Sequence, residues 1–139
     1  MELNDILIGA EVIEAHRKLY RSSEKEMQYR TLSDYGLIGK LYSFFCNKLN
    51  EIHPGIDVRE VQNRRKFLFI VLALYSPKTF AGVRMKMGLR NKLAQVLGCS
   101  EADITYYCRN LTFHYRLYPG FRSDIDKVYE ELKKSFEQE

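Results

Sequence analysis

From Ser100 to Arg109 the chain sets small, hydroxyl, acidic, aromatic and guanidinium side chains on one helical face: Ser100, Glu101, Ala102, Thr105, Tyr106 and Arg109. Three- and four-residue steps bring side chains together on a helix surface. A guanidinium there can bond both acceptors of a guanine edge, and Ala102 and Thr105 are short enough to approach a thymine methyl group. Continued at about 100° per residue, the same outward arc takes in Phe113 and Arg116. The inward arc collects Ile104, Tyr107, Cys108, Leu111, Tyr115 and Tyr118. This is the chemistry of recognition. His16, His53 and His114 fall in different elements, and no nucleophile, base and orienting group can be assembled from the spacing, so no enzyme is expected. Cys99, Cys108 and His114 lack the close cysteine pair that seeds a structural zinc site, so no metal and no other cofactor is expected.

A helix can present that face to a groove only if a second helix holds it through a tight turn. Gly98 suits the turn. Leu93, Ala94 and Leu97 then line the inner face of the preceding helix, Cys99 follows the turn, and Ile104 and Tyr107 meet them from the second helix. Ser100 and Asp103 form a capping box that fixes where the second helix begins. A helix-turn-helix unit is therefore predicted from Arg90 to Asn110, with its second helix running on toward Tyr118.

Charge is uneven along the chain. Residues 1–58 hold 7 basic and 9 acidic side chains, residues 59–122 hold 12 and 3, and residues 123–139 hold 3 and 6. The basic middle points to an anionic partner. Phosphate contacts are assigned to Arg84 and Lys86 in a glycine-containing basic loop, to Arg90 and Lys92 on the first helix, and to Arg116. Double-stranded DNA is the expected partner, with the protein acting as a transcriptional regulator or as a replication or mobile-element accessory factor. The alternative is an adaptor or inhibitor whose basic face meets an acidic protein. Homodimerisation through the N-terminal helices would suit two half-sites.

The elements needed to carry this unit read as all-α, a compact bundle of about six helices in one domain, residues 1–139. Residues 1–58 form a helical packing or partner region and residues 59–139 the helix-turn-helix with its closing helix. Leu3, Ile6, Leu7, Ala10, Ile13 and Tyr20 mark a first amphipathic helix. Ser23 with Glu26 starts a short second run. Ser33 or Asp34 caps a third helix, Asp57 a fourth that ends at Tyr75 and is apolar nearly all round, and Ser123 with Asp126 a last one. No apolar run reaches the roughly 20 residues that span a bilayer, and no leader or lipid address is recognised, so a cytoplasmic protein is expected. The three cysteines are read as reduced core residues.

The stretch Leu93-Ala94-x-x-Leu97-Gly98-Cys99-Ser100-x-x-x-Ile104-x-x-Tyr107-Cys108-Arg109-Asn110-Leu111 resembles the small helical DNA-binding superfamily of Trp repressor and the C-terminal domain of the replication initiator DnaA. The resemblance covers Arg64 to Leu132. It implies a long helix before the unit and a closing helix after it. The initiator's base-reading signature is absent, because Gly98-Cys99-Ser100-Glu101-Ala102-Asp103 stands in its place, and no Walker pattern occurs. Residues 76–90 also resemble short proteins of Bacteroidota genomes and their mobile elements.

Overall fold

A helix apolar on every side must be surrounded by others. The computed structural model describes residues 2–20 and 32–137 and places such a helix at the centre. In chain order come α1 (Leu3–Tyr20), a 3₁₀ turn (Tyr35–Leu37), α2 (Ile38–Ile52), α3 (Val61–Tyr75) and a second 3₁₀ turn (Pro77–Ala81). After these follow α4 (Met87–Leu97), α5 (Glu101–Tyr107), α6 (Leu111–Leu117) and α7 (Pro119–Glu137). The all-helical expectation is met, and the described residues contain no strand. None of their helices is long and apolar enough to cross a membrane.

All of α3 from Phe67 to Ala73 is buried, and α1, α2, α5 and α7 all pack against this helix. Its aromatics point in different directions. The Phe67 ring meets Tyr42 and Phe45 of α2 at 4.9 and 5.4 Å. The Phe69 ring stacks on Tyr115 of α6 at 4.5 Å and 13°, and lies 4.7 Å from Phe80 in the second 3₁₀ turn. Leu3, Ile6, Leu7 and Ala10 bury the start of α1, which packs mainly against that turn. The Ile13 and Tyr20 side chains, and the run expected from Ser23 and Glu26, lie outside the described residues.

Three boundaries differ from the local sequence signals. Asp34 does cap, but it caps the first 3₁₀ turn, its Oδ1 accepting from Gly36 N at 2.9 Å. Asp57 accepts from Arg59 N at 2.9 Å in a turn, so α3 starts later, at Val61. The last helix begins at Pro119, four residues before Ser123, because proline at the first helical position is pre-set for a helix. Ser123 and its neighbours are thus already helical, and the two aspartates reach other elements.

Asp124 is the centre of a buried polar network. Lys66 Nζ donates to Asp124 Oδ2 at 2.8 Å and to Asn63 Oδ1 at 3.0 Å, and Asn63 Nδ2 donates to Asp57 O at 2.8 Å. His53 Nε2 lies 2.9 and 3.1 Å from the two Asp124 oxygens. Burial disfavours the Asp124 charge, but the hydrogen bonds and charges of Lys66 and His53 outweigh it, so the carboxyl is held below its ordinary pKa. This network ties the end of α2, α3 and α7 together beside an open cavity of about 770 Å³. Two residues further along α7, Asp126 Oδ1 accepts the Tyr115 hydroxyl at 2.6 Å.

Candidate nucleic-acid interface

Local signals set the junction of α4 and α5. Gly98 takes φ 67°, a left-handed conformation that any Cβ would strain. Cys99 N then donates to Ala94 O at 3.0 Å and Gly98 N to Gln95 O at 3.3 Å, which closes the last turn of α4. Two residues on, Asp103 N donates to Ser100 Oγ at 3.0 Å while Ser100 N donates to Asp103 Oδ2 at 3.2 Å. The predicted turn and capping box are both formed. Leu93, Leu97 and Ile104 are buried where the two helices pack.

The far end of α5 departs from expectation. The helix stops at Tyr107, and Asn110 takes φ 59° before α6 begins, so no single helix runs to Tyr118. Asparagine tolerates the left-handed region. The carbonyl freed at Tyr107 accepts from Arg65 Nε at 3.3 Å, which satisfies a group that helix continuation would have bonded. Beside it, Arg64 donates through Nη1 to Tyr107 Oη at 3.1 Å and through Nη2 to Leu97 O at 3.4 Å. Two arginines of α3 therefore clasp the ends of α4 and α5.

The sequence assigns no role to either arginine. Replacing Arg64 by methionine keeps much of the stem but removes both bonds. We expect a stability loss of about 1–3 kcal/mol in urea denaturation and faster amide hydrogen exchange from Ile104 to Cys108.

Of the expected outward residues, Ser100, Ala102, Thr105, Tyr106 and Arg109 are exposed, with Tyr106 beneath the Arg65 guanidinium at 5.5 Å. Thr105 Oγ1 donates back to Glu101 O at 3.2 Å, leaving its lone pairs outward. Glu101 is half-buried. Its carboxylate faces Arg90 Nε at 3.4 Å and the Asn91 amide of α4.

A cavity of about 250 Å³ brings Arg84, Arg90, Thr105 and Arg109 to one groove, with the loop around Gly82 as its other wall. The groove joins residues predicted as phosphate contacts to residues predicted as base contacts. Phe113 and Arg116 stay outward but belong to α6, and Arg116 Nη2 donates to both Glu11 oxygens at 2.8 and 2.9 Å. Tyr118, expected inward, is 46% exposed, because α6 ends before it.

The basic middle of the chain thus divides into two groups. Arg64, Arg65, Lys66, Arg90, Arg116 and Arg122 are bonded within the fold. By contrast, the side chains of Arg59, Lys78, Arg84, Lys86, Lys92 and Arg109 have no hydrogen-bond or ion-pair partner among the described residues. Four of these, Arg84, Lys86, Lys92 and Arg109, lie on α4, just past the end of α5, or on the loop before α4.

The cysteines here are poor nucleophiles. Burial pushes the Cys108 thiol up to about 12 and raises Cys99 as well, so both should alkylate slowly at neutral pH in the folded protein and readily in denaturant. Comparison with family models, with curated proteins and with solved structures gives no match.

Proposed function

We propose that the α4–turn–α5 unit is a helix-turn-helix that binds double-stranded DNA, with α5 set into the major groove. The observation that carries this reading is the gathering of unpartnered Arg84, Lys86, Lys92 and Arg109 around α4 and α5. Phosphates accept from Arg84, Lys86, Arg90 and Lys92, and Arg109 with Thr105, Ala102 and Tyr106 meets base edges. The resemblance to the Trp repressor and DnaA frame supports the same docking. A transcriptional regulator or an accessory factor of replication or of a mobile element fits this activity.

Fluorescence anisotropy with labelled duplexes across a salt series tests it. Four phosphate contacts should give a log–log slope of affinity on salt of about −4. Lys86→Ala should weaken all duplexes alike and reduce the slope by about 1, while Arg109→Ala should cost a selected site about 1–3 kcal/mol and relax one base position. Glu101→Gln releases Arg90 and removes a negative charge from the docking face, so binding to random duplexes should tighten by about 0.3–1 kcal/mol. If random duplex DNA does not bind at low salt, the reading fails.

A further inference from the structure

Arg84, Arg90 and Arg109 line one cavity of about 250 Å³, and the rest of its wall is uncharged: Thr79, Gly82, Val83, Met85, Thr105 and Cys108. No carboxylate answers them there. Arg90 spends only Nε, on Glu101 at 3.4 Å, and its two terminal nitrogens have no partner among the described residues. The Arg84 and Arg109 side chains have none at all. Cys108 adds no negative charge, because burial keeps its thiol protonated at neutral pH.

Guanidinium groups cannot shed a proton to relieve their mutual repulsion, so three of them around one space raise its affinity for an anion. Elsewhere the chain supplies the acceptor itself. Arg64 meets the Tyr107 hydroxyl, Arg116 meets Glu11 and Arg122 meets Asp126. Size and charge narrow the ligand. The cavity of about 250 Å³ falls short of the roughly 300–1,000 Å³ that encloses a drug-sized molecule, yet it has room for one tetrahedral phosphoryl group. The substituent would lie outside, in solvent. A phosphate monoester carries a charge of about −1.5 to −2 at pH 7, more than a diester, and offers three oxygens to the guanidinium forks.

We propose that the Arg84, Arg90 and Arg109 cavity binds a phosphate monoester, supplied either by a free small molecule or by the phosphorylated end of a nucleic acid strand. It shares these arginines with the DNA reading but does not rest on it, since the phosphates along a duplex are diesters. A ligand seated there occupies residues assigned to duplex DNA, so the two compete.

Methyl phosphate titrated into the isotope-labelled full chain at low salt tests the proposal by nuclear magnetic resonance, with dimethyl phosphate as the diester reference. The Nε–Hε signals of Arg84, Arg90 and Arg109 should shift and saturate, with the monoester at least about 5-fold tighter than the diester. Arg84→Gln and Arg109→Gln should each raise its Kd at least about 5-fold with unchanged helical circular dichroism. Lys127→Gln, which removes an equal charge from α7, should leave the Kd within about 2-fold. Shifts that never saturate, a monoester no tighter than the diester, or arginine variants that bind as well as wild type would each overturn the proposal.

Duplexes with phosphorylated or hydroxyl ends separate the two sources. Tighter binding of the phosphorylated duplex by at least about 5-fold assigns the cavity to strand ends, and equal binding assigns it to a free ester. If neither duplex binds while methyl phosphate does, the DNA reading falls and this one stands.

Discussion

Phe69→Ala should lower the stability of the protein by about 3–5 kcal/mol, the cost of truncating a fully enclosed aromatic side chain. Phe69 has no exposed surface and is the shared neighbour of Tyr115 on α6 and Phe80 in the second 3₁₀ turn. Its loss opens a void between the centre of the bundle and the two segments that flank the α4–α5 unit. Against a total of about 5–15 kcal/mol for a domain, that is a large fraction. The melting midpoint should fall by about 10 °C or more. Thermal denaturation followed by circular dichroism checks this, and a fall of only a few degrees would show that Tyr115 and Phe80 can close over the gap. Leu74→Ala, on the same helix but half-buried, should cost less.

Asp124→Asn is the second large effect, and its size should depend on pH. The Asp124 side chain is 9% exposed and that of Lys66 11%, so the substitution strands a nearly buried ammonium group. Removing one partner of a buried pair costs about 3–5 kcal/mol; the lower end applies here because the network borders an open cavity. The folded-state pKa of Asp124 is depressed, so its contribution is complete above the unfolded value of about 3.9. It is lost as pH falls through the folded value. Wild type and variant should therefore still differ at about pH 4 and converge below it. Urea midpoints measured across that range decide the matter. A difference that persists in strong acid would trace the cost to the geometry of the amide and not to charge.

Features whose causes lie within a few residues could be read from the chain. Gly98 needs only its own backbone freedom, and the Ser100–Asp103 box closes over three residues, so both stand where the sequence puts them. The apolar run of α3 likewise requires burial whatever surrounds it. Features decided by distant partners could not be read. The stop at Tyr107 depends on Arg65, 42 positions earlier, and on an asparagine that is equally at home inside a helix end or in a left-handed turn. At Ser123 the spacing imitates a capping box, yet the helix already starts at Pro119, Asp126 accepts from Tyr115 of α6, and Asp124 answers to Lys66, 58 positions away. The same limit governs charge. The basic surplus of residues 59–122 was plain, but whether a given cation faces solvent or braces the fold is a tertiary property. That is why Arg116 and Arg109, alike in sequence, differ in their partners.

On the proposed DNA-binding reading, the left-handed turn at Asn110 also bears on how much information the unit can extract. Seven residues make a helix about 10 Å long, the axial length of about three base pairs. Three fully read base pairs single out roughly one triplet in 64, an address that recurs by chance every few dozen positions. Two such readers acting together would square that figure, to roughly one site in 4,000. A helix this short, reading DNA as we propose for α5, would gain selectivity by being counted twice.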